Sequence, residues 1–204
     1  MDDVLILTSN GLSSKSLMKS IKPLFAKSSK AVIVTTASVG YKDKDWHIPR
    51  LKDELHALGL SVDYFDFDFD VPQGLLQYDV VEIIGGNPFY LLKSMKESNC
   101  EGVLDELSKS KILIGISAGS LVLQDNIDLI AQYSPEMNQE VNLTDLTGFH
   151  LTDIEILPHY SKFLSRFDRF EERAKEYEEK GKHKVVRLND GQGILVDKGR
   201  YTII

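Results

Sequence analysis

The segment 111–123, KILIGISAGSLVL, places a serine between two glycines where an apolar run ends. The pattern Gly115-x-Ser117-x-Gly119 is typical of a strand-to-helix turn that exposes a nucleophilic serine beside backbone donors. Such a turn crowds the backbone, which would explain the small residues on both sides of the serine. We therefore predict Ser117 as a nucleophile and the N–H of Ala118 as an oxyanion donor. The alternative is a glycine-rich turn in which Ser117 only caps a helix.

A second glycine-rich turn follows another apolar run, in the segment 83–92, IIGGNPFYLL. We predict the N–H of Gly86 as the second oxyanion donor and Asn87 as a substrate-binding residue. The alternative is a tight turn in which Asn87 caps a helix that starts at Pro88. A phosphate-binding loop is less favoured, because neither of the two common nucleotide-binding glycine motifs occurs.

A serine nucleophile needs a base, and His159 is the favoured histidine. It follows the strand-like segment IEILP and precedes a long helical segment, so it lies at the end of a predicted strand. His150 competes for the same role. The remaining histidines have no comparable placement; they are His47, His56 and His183.

The base in turn needs a carboxylate that orients its ring, and we predict Asp190, in the segment VVRLNDG, for this role. Asp190 also follows a predicted strand. The alternative is an ordinary turn residue, because Asp-Gly is a common hairpin pair. Other acids remain open for the role: Asp128, Asp145, Asp153 and Glu155.

The elements that must position these residues are short apolar runs that alternate with amphipathic segments. Buried strands are predicted at 4–7, 31–36, 80–86 and 111–116, and helices at 13–27, 46–58, 88–97 and 101–109. This alternation predicts an α/β fold with a parallel sheet covered on both faces. In such sheets, sites lie beyond the carboxyl ends of the strands, where both glycine-rich turns occur.

Other parts of the chain give weaker or different patterns. The segment SVDYFDFDFD alternates apolar and acidic residues and predicts a strand near a sheet edge over 61–70. Residues 161–180 carry an apolar stripe at helical spacing and predict one helix. Short strand-like pieces after residue 124 are IDLIA, IEIL, KVVRL, GILV and YTII.

Length and composition favour one soluble domain over residues 1–204, and they narrow the choice of partners. The net charge of −7 disfavours a nucleic-acid or anionic-membrane partner. A single cysteine, Cys100, allows neither an intrachain disulfide nor a cysteine cluster for zinc. The N-terminal residues lack the pattern of a signal peptide, and no apolar run is long enough for a membrane span. We expect a cytoplasmic protein, and a homodimer is compatible with the sequence.

Taken together, these motifs resemble the dipeptidase E (aspartyl dipeptidase) family of serine peptidases, whose relatives include cyanophycinase. The resemblance is carried by GGNPFYLL, GISAGS, PHYSKF and the turn LNDG, and by the 42 residues from Ser117 to His159. It implies a three-layer α/β/α sandwich with a mostly parallel sheet, similar to class I glutamine amidotransferases. It also implies a triad in which Ser117 is the nucleophile, His159 the base and Asp190 the acid, where family members often have Glu.

The function implied is hydrolysis of short peptides through an acyl-enzyme, without metal or organic cofactor. Aspartyl dipeptidases cleave after an N-terminal Asp, and an arginine suits that side chain because its planar fork binds carboxylate bidentately. We predict Arg166 for this role. The alternative is that Arg166, Arg169 and Arg173 form a solvated stripe that pairs with neighbouring acids.

Two other functions remain open. One is an α/β-hydrolase esterase, in which the order of the triad would require His183 as the base. The other is a binding or regulatory module that keeps the fold without the chemistry.

Overall fold

A seven-stranded sheet forms the centre of the protein, whose computed structural model describes residues 4–181, 184–197 and 200–204. A separate parallel pair, β6 and β7, lies outside this sheet. The described residues contain nine strands: β1 (Val4–Thr8), β2 (Lys30–Val34), β3 (Ser61–Phe65), β4 (Val80–Ile83), β5 (Ile112–Ile116), β6 (Glu155–Leu157), β7 (Val185–Arg187), β8 (Gly193–Asp197) and β9 (Arg200–Ile203).

Helices connect most of these strands. They are α1 (Lys15–Ile21), α2 (Ile48–Ala57), α3 (Pro88–Glu97), α4 (Glu101–Ser110), α5 (Ala118–Leu123), α6 (Asp128–Tyr133), α7 (Tyr160–Arg166) and α8 (Phe170–Gly181). Short 3₁₀ helices cover Lys22–Phe25, Lys42–Lys44, Pro72–Gln77 and Pro135–Asn138.

The strand order of the main sheet is β3-β2-β4-β5-β1-β8-β9. The first five strands of this order run parallel, whereas β8 is antiparallel to β1 and β9 to β8. Every residue of β1, β4 and β5 is buried, as the uninterrupted apolar runs require. The predicted three-layer α/β/α fold with a mostly parallel sheet is confirmed.

The order of the connections assigns the helices to two faces. The chain moves one way along the sheet from β1 to β2 to β3, and the opposite way from β3 to β4 to β5. Because such crossovers are right-handed, α1 and α2 cover one face and α3 and α4 the other. The carboxyl ends of β1, β4 and β5 therefore lie side by side at one edge of the sheet, where segments from both faces of the sheet can contact them.

Two segment predictions are wrong in their extent. The strand predicted over 61–70 ends at Phe65, because the following acids form a turn in which the Asp70 carboxylate accepts the N–H of Asp66 at 2.8 Å. The single helix predicted over 161–180 is two helices, α7 and α8. Its apolar stripe is real, but Phe167 is extended, with φ −109° and ψ 135°, and its ring packs against Phe170 instead of continuing a helix.

The strand-like piece IDLIA is also wrong, because it lies in α6. Asn126 provides the local reason, since its side-chain oxygen accepts the N–H of Asp128 at 2.9 Å and so favours the start of a helix. The pieces IEIL, KVVRL, GILV and YTII do contain strands, β6 to β9.

One polar residue lies inside the sheet. Glu82, in the middle of β4, is completely buried, and neither carboxylate oxygen has a hydrogen-bond partner in the described part of the chain. Burial raises the pKa of Glu82 to about 8, and the nearby carboxylate of Glu54 adds to this increase. The side chain is therefore mostly protonated at neutral pH.

Among the residues that the structure describes, no helix combines the length and the hydrophobicity that a membrane span requires. The same residues contain no group of three or more His, Cys, Asp or Glu side chains arranged to hold a metal ion.

Candidate active site

Ser117 lies in a tight turn between β5 and α5, with φ 48° and ψ −108°. This is a strained conformation for a residue with a side chain. Both flanking glycines are required by close approach of the main chain. A Cβ on Gly119 would lie 2.1 Å from the Ile83 carbonyl oxygen, and one on Gly115 would lie 2.7 Å from the Cα of Ser120. The crowding expected from the sequence is therefore present on both sides of Ser117.

The structure brings Ser117, His159 and Asp190 into one hydrogen-bonded chain. His159 Nε2 lies 3.1 Å from Ser117 Oγ, and His159 Nδ1 lies 2.6 Å from Asp190 Oδ1. His159 precedes α7 in a left-handed conformation, with φ 56° and ψ 31°, and Asp190 lies in the turn between β7 and β8. Both side chains are mostly buried, with 22% and 25% of their surface exposed. This is the geometry in which a carboxylate orients an imidazole toward a hydroxyl.

Ser9 completes this arrangement and was missed by the sequence analysis. Its Oγ accepts the backbone N–H of His159 at 2.8 Å and donates to Asp190 Oδ1 at 2.8 Å. Ser9 is fully buried directly after β1, and the register that pairs Thr8 with Ile116 brings it beside the Ser117 turn. The signal that could have identified it is its place at the carboxyl end of a predicted strand, the criterion already applied to the other residues.

Asp190 is held as a carboxylate by its neighbours. Burial opposes its ionisation, but hydrogen bonds from Lys162, Ser9 and His159 outweigh this effect and hold its pKa below the usual range. Lys162 contacts the outer oxygen, Oδ2, whereas Ser9 and His159 share Oδ1. Asp190 is therefore charged over the whole range in which the imidazole of a histidine ordinarily titrates.

The other acids considered from the sequence do not contact His159. Asp128 and Asp153 are exposed, and Asp145 pairs with Lys96 at 2.5 Å. Glu155 is buried, but its Oε1 accepts hydrogen bonds from Asn126 and Tyr177.

The competing histidines are likewise placed elsewhere. His150 pairs with Asp125 at 2.9 Å on the surface, and His56 is exposed in α2. His47 pairs with Asp45 at 2.7 Å and reaches the cavity described below, from the side of α2. His183 lies outside the described residues.

Gly86 and Ala118 present backbone N–H groups near Ser117. Within the described residues neither N–H donates to another group of the protein. Gly86 has φ 147°, and a Cβ there would lie 2.2 Å from the Ala37 carbonyl oxygen, so the position needs glycine. Ala118 is the first residue of α5, where the N–H groups have no acceptor within the helix. Both residues line the cavity that Ser117 also lines.

Asn87 uses its side chain within the protein. The amide oxygen accepts the N–H groups of Phe89 and Tyr90 at 2.9 and 3.1 Å, which caps α3. The amide nitrogen donates to the Met137 carbonyl oxygen at 2.8 Å. This arrangement corresponds to the capping alternative rather than to direct substrate binding.

A cavity of about 420 Å³ opens over Ser117. Arg166, the residue predicted to bind the substrate side chain, lines this cavity. Arg166 forms no ion pair with the described residues. The other two arginines of this segment are engaged elsewhere: Arg169 pairs with Glu172 at 2.6 Å, and Arg173 lies over the ring of Tyr133. Arg166 is exposed and lies over the ring of Phe167, and it is the one arginine of the three that lines the cavity.

Comparison with known proteins agrees with this description. An uncharacterized peptidase of Listeria monocytogenes is 29% identical over 72% of this chain and 76% of its own, and Peptidase E of Escherichia coli is 24% identical over 98% of this chain and 89% of its own. The crystal structure of a putative Peptidase E protein from Listeria monocytogenes covers 100% of this chain and 98% of its own, with a TM-score of 0.73 and 24% identity. That of a peptidase from an acI-B1 Actinobacterium covers 100% and 88%, with a TM-score of 0.74 and 16% identity.

The family model that describes peptidase family S51 matches residues 5–204, nearly the whole chain. The predicted resemblance is confirmed, and the protein is a serine-type peptidase that belongs to peptidase family S51.

Proposed function

We propose that this peptidase is of the dipeptidase E type and hydrolyses short peptides through a triad of Ser117, His159 and Asp190. The observation that carries the proposal is the continuous hydrogen-bonded chain from Ser117 Oγ through the imidazole to Asp190, with steps of 3.1 and 2.6 Å. The chain order Ser, His, Asp also differs from the order Ser, acid, His of an α/β-hydrolase esterase.

In the first half of the reaction, Asp190 keeps the proton of the imidazole on Nδ1, so that Nε2 accepts the proton of Ser117. The Ser117 oxygen then bonds to the peptide carbonyl carbon. The N–H groups of Gly86 and Ala118 bind the resulting oxyanion. The imidazolium of His159 passes its proton to the leaving nitrogen, the carbon–nitrogen bond breaks, and the acyl group remains as an ester on Ser117.

In the second half, water replaces the amine. His159 accepts a proton from the water, whose oxygen bonds to the ester carbonyl carbon, and the same two N–H groups bind the second oxyanion. His159 then returns the proton to the Ser117 oxygen as the ester bond breaks. The free acid leaves, and the enzyme regains its starting protonation state.

The substrate we propose is a dipeptide with N-terminal Asp, whose side chain Arg166 binds. Arg166 lines the cavity together with Phe163 and His159 and has no carboxylate partner among the described residues. Its guanidinium lies 5.3 Å from the centre of the Phe167 ring but has no carboxylate partner there, so it suits a substrate carboxylate, which it can bind through two parallel hydrogen bonds.

A panel of Asp-Leu, Glu-Leu, Asn-Leu and Ala-Leu tests this substrate. We expect Asp-Leu to be preferred. Arg166→Ala should lower kcat/KM for Asp-Leu by a factor equivalent to about 2–3 kcal/mol of transition-state stabilisation, because a charge-assisted pair is lost. Arg169→Ala is the matched control, since Arg169 pairs with Glu172 and Glu176 outside the cavity. Equal rates across the panel, or an Asp preference that survives Arg166→Ala, would remove Arg166 from the substrate site.

A further inference from the structure

We propose that Glu136 binds the α-ammonium group of the substrate's N-terminal residue, and that Asn87 positions Glu136 for this task. The inference rests on the proposed function and names a second specificity-determining residue for it.

The first argument comes from the charges that line the cavity. Most of these groups have a partner within the protein: Asp45 pairs with His47, Arg50 with Glu54, and His159 with Asp190. Two other charged residues of the lining, Glu136 and Arg166, are exposed and form no ion pair among the described residues. Because they have opposite signs and share one cavity but do not pair with each other, a ligand with both charges would satisfy both. The N-terminal residue of an Asp-X peptide carries both charges, an ammonium and a carboxylate.

The second argument is the position of Glu136 relative to the oxyanion donors. Glu136 lies in the 3₁₀ helix Pro135–Asn138, next to Met137, whose carbonyl oxygen accepts the Asn87 side-chain N–H at 2.8 Å. Asn87 directly follows Gly86. One hydrogen bond therefore fastens the segment that carries Glu136 to the turn that carries the proposed oxyanion donor.

Substrate chemistry requires such a neighbour. In an N-terminal residue the amino nitrogen is two bonds from the carbonyl carbon, a distance of about 2.5 Å. When that carbon is bonded to Ser117 and its oxygen faces Gly86, the ammonium must lie close to the same turn. A carboxylate on the adjoining segment can reach it, whereas Asp190 is engaged by His159 and Ser9, and Asp45 by His47 and Ser38. The tether also gives the amide nitrogen of Asn87 a function, beside the cap of α3 that the amide oxygen forms.

The consequence is a requirement for a free amino terminus. A peptide whose amine is acetylated has no ammonium for Glu136, and it would leave that carboxylate facing an uncharged amide. Neutralising Glu136 should therefore weaken the preference for free peptides over acetylated ones, without affecting the chemistry at Ser117.

The test compares the fastest dipeptide of the Asp-X, Glu-X, Asn-X and Ala-X panel with its N-acetyl derivative. Wild type, Glu136→Gln and Asn87→Ser are assayed, and Glu140→Gln is the control because Glu140 is exposed on the same segment but does not line the cavity. Serine retains helix capping but is too short to reach Met137. The rate of fluorophosphonate labelling of Ser117 and the thermal unfolding midpoint are measured for each protein.

We expect Glu136→Gln to lower kcat/KM for the free dipeptide by about 10- to 100-fold, the range for a charge-assisted hydrogen bond. Asn87→Ser should change it in the same direction, and Glu140→Gln should not. The acetylated peptide should be a poor substrate throughout, and labelling should stay within about twofold of wild type, as expected when the charge lost is a binding group rather than part of the triad.

Four results would overturn the proposal: an unchanged kcat/KM in Glu136→Gln, equal cleavage of free and acetylated peptide by wild type, cleavage of no free dipeptide by a protein that is labelled at Ser117, or an equal loss of hydrolysis and labelling in Glu136→Gln. The first three results would leave the proposed triad intact, and the fourth would assign Glu136 a structural role. A wild-type protein that is not labelled at Ser117 at all would instead contradict the proposed function itself.

Discussion

The two halves of the candidate site are built by different means. The serine half (Gly86, Gly115, Ser117 and Gly119) is held by main-chain packing, since an added Cβ on any of its glycines would lie less than 3 Å from a backbone atom. The histidine half (Ser9, His159, Lys162 and Asp190) is held by side-chain hydrogen bonds. Changes at the glycines of the serine half should therefore act on folding, and changes in the histidine half on the rate of the reaction.

The two halves also differ in whether a substitution can weaken their contacts without disturbing the packing. A main-chain contact cannot be weakened by degrees, because two backbone segments either fit or clash. A hydrogen bond to a carboxylate can be removed by an isosteric substitution that leaves the packing intact. The predictions below use this contrast, from the largest expected effect to the smallest.

Gly119→Ala should have the largest effect on folding. Its Cβ would meet the Ile83 carbonyl oxygen at 2.1 Å, so β4 and α5 would have to separate, at a cost of more than about 3 kcal/mol of folding free energy. Gly102→Ala is the matched control, because the space around Gly102 in α4 is open, and there alanine should stabilise the protein by about 0.5–1 kcal/mol. Urea unfolding measures both. A Gly119→Ala protein of wild-type stability would contradict the main-chain description of the serine half.

Asp190→Asn should leave folding nearly intact and lower kcat by about 10⁴-fold, because the imidazole is then held in the wrong tautomer. Asp153→Asn changes an exposed acid that does not contact His159, and should have no effect. Steady-state hydrolysis of the preferred dipeptide measures both variants. If Asp190→Asn kept more than a tenth of the activity, Asp190 would not be the third member of the triad.

Glu82→Met tests whether the serine half tolerates a side-chain change beneath its turns. The pKa of Glu82 is raised to about 8 in the folded protein, so the folded state holds a proton that the unfolded state releases above its usual pKa of 4.5. Wild-type stability should therefore fall as pH rises between these values, by about 1.4 kcal/mol per pH unit from this group. The variant should lack this contribution and be the more stable protein at pH 8, with kcat unchanged. Unfolding curves for both proteins at pH 5 and pH 8 measure the difference, and equal slopes with pH would contradict the burial of an uncompensated carboxyl.

Ser9→Ala should lower kcat by about 10- to 100-fold with little change in KM, because small displacements of a catalytic group are costly. Lys162→Gln removes the other neighbour of Asp190, but Lys162 is 66% exposed, so its effect should be less than about fivefold. Both variants are compared in kcat and KM on one substrate. A larger loss from Lys162→Gln than from Ser9→Ala would show that the surface ion pair, and not the buried hydroxyl, holds the acid.

The serine half could be predicted from the sequence because its signals are local. Apolar, β-branched runs that end in glycine identify β4 and β5, and the rule that parallel strands share a carboxyl edge brings Gly86 and Ser117 together. The spacing within Gly115-x-Ser117-x-Gly119 contains the steric reason for the turn. No long-range information is needed to locate these residues.

The histidine half depends on contacts that no local pattern records. Ser9 is 150 residues from His159, and its two hydrogen bonds exist only in the folded chain. The break at Phe167 escapes detection because aromatic packing uses the same spacing of Phe163, Phe167 and Phe170 that a continuous helix would use. Glu136, which lines the cavity, is likewise next to a residue whose hydrogen-bond partner, Asn87, lies 50 positions from it in the sequence.

Fluorophosphonate labelling followed by peptide mapping tests the central claim, that His159 activates Ser117, most directly. We predict a single modified residue, Ser117, in the wild-type protein. Labelling and hydrolysis should both be lost in Ser117→Ala, while its unfolding free energy stays close to that of wild type, because alanine does not relieve the strained backbone of the turn. A wild-type protein that resists the probe, or a Ser117→Ala protein that hydrolyses peptides at the wild-type rate, would contradict the account.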